Sequence, residues 1–323
     1  MHSQNQRRDL ARTVGLGRLA YLVWHAPAAW AARMRREGGP IQQWITARGR
    51  AAMRRAAPGI SPCRLPDRKS EEAQLVFLTG RTLWYQTAFC LHSLLRQTEA
   101  RLPVRFLSDG TLRPEHASTL LRLFPGSVYE PEEAVSAALD RRLPRAAFPT
   151  LRAHERKLVL MRKFTHVHGA GTGWQLFLDS DMLFYASPCL IESWAAAPDR
   201  PIFMTDLQNA YGYPLAVLSE LAGAAVPEHV NTGVSGLRAD TVDWAAQERW
   251  LHALLADHGS SYYVEQAMFA LYLAGRPFLR LPAQDYRLMP DEAECLHPTA
   301  CLHHYVAGSK REYFRQAWRQ VLH

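Results

Sequence analysis

The residues with the clearest chemical potential in this 323-residue chain are Asp179 and Asp181, two carboxylates two positions apart at the end of the apolar run Gln175-Leu176-Phe177-Leu178. Consecutive apolar residues suit a central parallel strand covered on both faces by helices, and open α/β sheets bind their ligands at the carboxyl ends of such strands. There the pair can share a hard divalent cation, directly or through water, and that cation would hold a diphosphate. Read alone, Asp-Ser-Asp is more often a turn, since Asp is a common turn former. Its meaning depends on what else the chain can bring to the same place.

The elements that must position this pair alternate from Ala73 onward, as in a βαβ protein. Residues 74–79 read as a strand ending at Gly80, 83–96 as a helix, 104–107 as a strand, 113–124 as a helix and 127–129 as a short strand. A long helical stretch over 153–168 precedes the strand 174–178, and the first four strands read as parallel. Beyond Asp181 the pattern is mixed, with strands at 201–204 and 233–237, a helix capped by Asp240 and running to about Asp257, and a helix over 263–274. The expected class is α/β, a mixed and mainly parallel central sheet flanked by helices.

Charge is distributed unevenly. The net charge is +8, yet residues 1–60 hold eleven Arg, no Lys and only two acids, Asp9 and Glu37, so the remainder of the chain is close to neutral. The basic character describes an N-terminal surface and argues against a nucleic-acid-binding domain. Helices are expected at 10–24, 27–36 and 41–57, punctuated by Gly38-Gly39-Pro40 and Pro58-Gly59, with Arg interleaved among Trp24, Trp30, Trp44 and Ile45. Such a segment either packs its apolar faces on the main domain or lies on an anionic membrane. The expected division is residues 1–72, an Arg-rich helical extension with a linker over 61–72, and residues 73–323, the α/β domain. Five scattered Cys suggest a reducing compartment, and the polar start without a signal peptide suggests a cytoplasmic protein. The Cys295, His297, Cys301, His303 and His304 cluster offers zinc-type ligands at a spacing that fits no standard zinc template.

Further polar segments stand in order after the acidic pair. In Val230-Asn231-Thr232-Gly233-Val234, Gly233 permits close backbone approach, and Asn231 offers donor and acceptor to a hydroxyl-rich ligand. Glu265-Gln266 opens a helix, where a carboxylate suits the dipole and an amide can bond sugar hydroxyls. His304 and Lys310 are six residues apart around Gly308, and Arg156, Lys157, Arg162 and Lys163 precede the acidic strand. Asp206, Gln208, Asn209, Asp285 and Tyr286 are additional polar candidates for sugar or acceptor contacts.

In type and order these segments resemble the motifs of GT-A-fold nucleotide-sugar glycosyltransferases, most similarly those of glycosyltransferase family 8, over roughly 250 residues. The resemblance implies a GT-A fold. It implies that Asp179, Ser180 and Asp181 correspond to the family's Asp-x-Asp, binding Mn²⁺ (or Mg²⁺) and the donor's diphosphate and ribose. It further implies that Asn231 and Gly233 lie beside the donor sugar, and that Glu265 and Gln266, the catalytic candidates, match an Asp-Gln pair with Glu in place of Asp. His304 would complete the metal shell, with His303 as the rival ligand, and Lys310 would meet the phosphates. Arg162 would contact the donor, with Lys163 as the alternative. The loop departs from His-x-x-Gly-x-x-Lys in that its glycine lies one position later and Arg311 stands where Pro is expected.

The function so implied is metal-dependent transfer of a sugar from a nucleotide-diphosphate sugar, a UDP-sugar first, to a carbohydrate, glycolipid or protein acceptor, with retention. An inverting reaction would instead need a carboxylate base, for which Glu265 and Asp206 are the candidates. A metal-dependent nucleotidyltransferase would also use paired Asp residues, but Leu78-Thr79-Gly80-Arg81 is a poor version of its phosphate loop. A non-catalytic, membrane-associated scaffold would be expected to lose the acidic pair or its His, and both are present.

Overall fold

Gln74–Thr79 (β1) and Trp174–Leu178 (β4) are buried almost throughout and lie side by side in parallel, with Gln74 opposite Gln175 and Val76 opposite Phe177. Strands apolar on both faces need cover on both faces, and helices provide it. The computed structural model describes residues 38–66, 73–99 and 102–322. The chain divides into two compact units, Met1–Ala52 and Met53–His323. The helices expected at 10–24 and 27–36 lie outside the described residues. The third is present as α1, Gly39–Ala56.

Val104–Ser108 (β2) and Val128–Glu130 (β3) continue the sheet in parallel on one side of β1. On the far side of β4, Val230–Arg238 (β7) runs antiparallel between β4 and Ile202–Thr205 (β6), and Leu279–Leu281 (β8) closes the edge parallel to β6. The seven strands are ordered β3-β2-β1-β4-β7-β6-β8, the mixed, mainly parallel α/β sheet expected from the sequence. A second, three-stranded sheet of Met182–Phe184 (β5), Leu302–His304 (β10) and Tyr286–Leu288 (β9) begins where β4 ends. Asp179-Ser180-Asp181 is the link between the two sheets.

Helices flanking the sheet include Trp84–Gln97 (α2), Glu132–Arg142 (α3), Pro149–Lys157 (α4), Trp244–Asp257 (α5) and Val264–Leu273 (α6). Every residue of α6 is buried, as expected of a helix apolar on all sides. Its Phe269 meets Phe164 edge-on at 4.7 Å between ring centroids and Phe203 of β6 at 5.6 Å.

Two expectations change in detail. The helical stretch read over 153–168 is two pieces: α4 ends at Lys157, and Lys163–Gly169 forms a wider π-helical turn. Such turns recur at functional sites, and this one presents Lys163 to the end of β4. Asp240 does not cap the following helix. Its carboxylate accepts from the Gly173 amide, and Asp243, three residues on, accepts from Ala246 N and caps α5. β5, β8, β9 and β10 are three residues each, too short to leave a periodic signal.

Candidate active site

The acidic pair is fixed through its backbone. Asp179 N donates to Gly233 O of β7 at 2.8 Å, and Asp181 O accepts from Tyr305 N at 2.9 Å, so both sheets hold the turn. β6 and β7 slip register between Phe203, opposite Ser235, and Met204, opposite Asn231. The irregularity falls at Thr232 and Gly233, the latter bonded to the turn, a usual place for bulges beside sites. A side-chain carbon on Gly233 would overlap the His304 imidazole and Met182 Cε.

His304 Nε2 lies 3.5 Å from Asp179 Oδ2 and 3.4 Å from Asp181 Oδ1. Those separations are too long for strong hydrogen bonds, and the buried ring nitrogens have no hydrogen-bond partner. Two ligands of one ion, each about 2.0–2.2 Å from it, stand at such a separation. Oxygen and imidazole donors within 4.8 Å of one another therefore fit a divalent cation, and Asp179, Asp181 and His304 are such a group among the described residues. Strand alternation decides between the neighbouring histidines. His303 turns to the opposite face, where Nε2 pairs with Glu294 at 2.7 Å and Nδ1 meets Tyr305 OH at 3.0 Å. Cys301 Sγ points to Asp285 O, so the Cys/His cluster does not converge.

Two lysines flank the pair. Lys163 Nζ is 2.7 Å from Asp179 Oδ2, and Lys310 Nζ is 2.9 Å from Asp181 Oδ2. Lys163 is largely buried, whereas Lys310 is 44% exposed and free to re-aim. Burial alone would raise the Asp181 acid, but His304 and then Lys310 outweigh it and hold the carboxyl well below the usual range. Burial likewise opposes charge on His304, and the two carboxylates reverse it, lifting the imidazole to about 9. Lys163, disfavoured by burial, is raised by Asp179 and Glu265.

A second polar group lies beside this one. Asp206, at the end of β6, accepts on Oδ2 from Asn231 Nδ2 at 2.9 Å and from Gln266 Nε2 at 3.0 Å. Asn231 Oδ1 in turn accepts from Gly233 N, and Gln266 also donates to Val230 O. From sequence Asp206 is a general polar candidate and, with Glu265, a possible base for an inverting reaction; its place beyond a strand end is the signal that could have ranked it higher. Glu265 is buried next to this cluster, with Oε2 accepting from Thr232 Oγ1 at 3.3 Å and Oε1 unpartnered. Burial pushes its carboxyl up to about 7, with the Lys163 charge opposing and Asp179 reinforcing.

Both groups line one cavity of about 800 Å³. Asp179, Ser180, Asp181, Asn231, Gly233, Glu265, Gln266, His304, Lys163 and Lys310 all reach its wall. The Ser180 hydroxyl is directed at Thr87 Oγ1, 2.8 Å away. Arg162 stands behind the wall, its guanidinium donating to Asp109 O at 2.5 Å and Glu155 O at 3.4 Å. It braces the loop whose Asp109 lines the cavity. That Asp109 carboxylate accepts from Thr111 and occupies the space a side chain on Gly80 would need. Sequence reading missed this wall. It also missed the mouth, where Val159, Leu207, Tyr262, Tyr263 and Met289 are five of the eleven large apolar side chains exposed among the described residues. Met289 and Ala307, both on the cavity, adopt φ of 53° and 46°, a backbone region sparsely used by such residues and found at functional sites.

No protein-family model matches the chain, and no curated protein does. Among solved structures, it is similar to mouse xyloside xylosyltransferase 1, with 15% identity over 72% of this chain and 97% of that one and a TM-score of 0.48. It is similar also to the galactosyltransferase LgtC in complex with donor and acceptor sugar analogues, at 12% identity over 76% and 95% of the two chains and a TM-score of 0.47. A third such structure is the mannosyltransferase Ktr4p from S. cerevisiae, at 9% identity over 76% and 80% and a TM-score of 0.43.

Proposed function

We propose that the chain is a metal-dependent glycosyltransferase of the GT-A type, transferring a sugar from a nucleotide-diphosphate donor, a UDP-sugar first, to a carbohydrate-bearing acceptor with retention. One observation carries this reading. A cation-type donor set, two lysines and a sugar-type hydrogen-bonding cluster converge on one cavity from segments far apart in sequence. In this reading Asp179, Asp181 and His304 hold Mn²⁺ or Mg²⁺, which when bound supplies positive charge to a diphosphate leaving group.

The chain's own residues do the remaining work. Lys310 exchanges its Asp181 contact for a phosphate oxygen, and Lys163 fixes the orientation of Asp179. The Asp206, Asn231 and Gln266 cluster reads sugar hydroxyls, with the Asp206 carboxylate orienting both amides. Glu265 lies under the sugar end of the cavity. The lock on Asp206 by two amide donors, and the burial of Glu265 behind Thr232, leave neither as a solvated carboxylate base for an acceptor hydroxyl. That favours retention over inversion. The apolar mouth would face the acceptor. Five free cysteines accord with a reducing, cytoplasmic setting, and we assign no nucleic-acid partner.

The test is thermal stability with UDP, GDP, CDP or dTDP, each with and without Mn²⁺, on wild type and Asp181→Ala. A ligand at a hundred times its dissociation constant adds about 2.7 kcal/mol. Stabilisation by one nucleotide that needs both Mn²⁺ and Asp181 supports the reading. Absence of any shift overturns it. The anomeric configuration of the product then tests retention.

A further inference from the structure

Helix α1 carries a second concentration of exposed apolar surface, and none of its residues lines the cavity. Ile41 is 72% exposed, Trp44 58% and Ile45 38%. Their spacing of i, i+3 and i+4 puts them on one face, and Arg48 and Arg55 continue the same stripe at i+7 and i+14. The helix contains four arginines, Arg48, Arg50, Arg54 and Arg55, all exposed, and no acid. The Arg48 guanidinium rests over the Trp44 ring at 5.1 Å from its centroid, which keeps the charge beside the apolar patch.

Water alone does not account for this face. A solvated basic helix would carry Arg among polar residues, whereas Ile41, Trp44 and Ile45, all exposed, keep an apolar stripe in water. Tryptophan suits a membrane interface, where its apolar body and polar N–H both find partners, and a basic helix with such a stripe lies in that plane. Among the described residues, no helix is long and apolar enough to cross a membrane. We propose that the Ile41-Trp44-Ile45-Arg48 face of α1 docks on an anionic lipid bilayer, the apolar side chains entering the headgroup boundary while the arginines pair with lipid phosphates. The occupant follows from charge: the face offers donors and positive charge only, and an anionic bilayer offers acceptors over an apolar interior.

The experiment is co-sedimentation of the full chain with vesicles of phosphatidylcholine alone or with about 30% phosphatidylglycerol, at low and high salt. Three proteins are compared: wild type, Ile41→Ser/Trp44→Ser and Arg48→Gln/Arg55→Gln. These positions are exposed, so the substitutions leave folding intact, which circular dichroism checks. The expected result is binding only to the anionic vesicles, weakening as salt rises, with at least a tenfold loss in the Ser pair. The Gln pair should lose on the order of thirtyfold. Binding equal on neutral and anionic vesicles, no binding to either, or full binding by the Ser pair overturns the proposal. So does release of wild type from vesicles by a duplex oligonucleotide that binds wild type more tightly than the Ser pair, since the face would then be a nucleic-acid surface. None of these outcomes depends on sugar transfer.

Discussion

Gly233 and His304 occupy one space: the volume a side chain on Gly233 would fill holds the His304 imidazole. The same glycine accepts from Asp179 N through its carbonyl, so it sets both an acid and the histidine of the candidate metal group. Gly233→Ala should therefore push His304 away from Asp179 and Asp181. We expect a stability loss of about 1–3 kcal/mol, typical of overpacking, and abolition of Mn²⁺-dependent stabilisation by nucleotide. Thermal melts with Mn²⁺ or EDTA check this. Retention of the full metal-dependent shift in Gly233→Ala would mean that His304 is not a ligand.

The two lysines separate by burial. Lys310 is half-exposed, so its pair with the largely buried Asp181 is open to solvent on one side, and Lys310→Ala should lower stability by about 1 kcal/mol or less while weakening nucleotide binding about tenfold or more. Lys163→Ala leaves Asp179 without its close partner, and its stability should fall by more than that of Lys310→Ala. Urea unfolding beside nucleotide titration distinguishes the two. A nucleotide affinity unchanged in Lys310→Ala would remove it from the donor site.

Much of this site was legible in the sequence because its parts sit where local pattern is strong. Asp179 and Asp181 close an apolar strand, Glu265 opens a helix buried at every position, and the strands and helices up to Asp181 follow the alternation that fixes a parallel sheet. What escaped depends on tertiary meeting. Asp206 is an ordinary loop acid until Asn231 and Gln266 reach it from elements 25 and 60 residues away in sequence. Periodicity likewise could not choose His304 over His303, because β10 is three residues long. The choice comes from the alternation of their rings once β10 pairs with β5.

Glu265 makes stability depend on pH. Its folded pKa of about 7 exceeds the ordinary 4.5 because burial disfavours the charge. The protonated form is thus favoured on folding: its contribution is complete below about 4.5, declines as pH rises through 7 and is absent above. The full effect is about 3 kcal/mol. Glu265→Gln, which stays neutral, should be more stable than wild type at pH 8 by up to that amount and ahead by less than about 1 kcal/mol at pH 5. Unfolding at both values tests this. A constant difference between the two proteins would show that Glu265 does not titrate in this range.

The buried histidines act in the opposite direction. His168, with both ring nitrogens unpartnered between Phe164 and Phe269, and His166, beside Arg162 and Arg152, are each held down to about 3, chiefly by burial. An unfolded histidine takes up its proton near 6.5, so the stability due to the neutral folded form is complete above that value and is lost as pH falls toward 3. At pH 5 the loss is about 2 kcal/mol per histidine. His168→Leu removes one of the two without burying a polar group, and should reduce the destabilisation between pH 7 and pH 5 by about that amount. The imidazole makes no hydrogen bond that the leucine would forfeit, so its stability at pH 7 should stay within about 1.5 kcal/mol of wild type. An acid sensitivity identical in the two proteins would mean that His168 is hydrated in the folded chain, and that the acid response arises from His166 and its neighbouring charges.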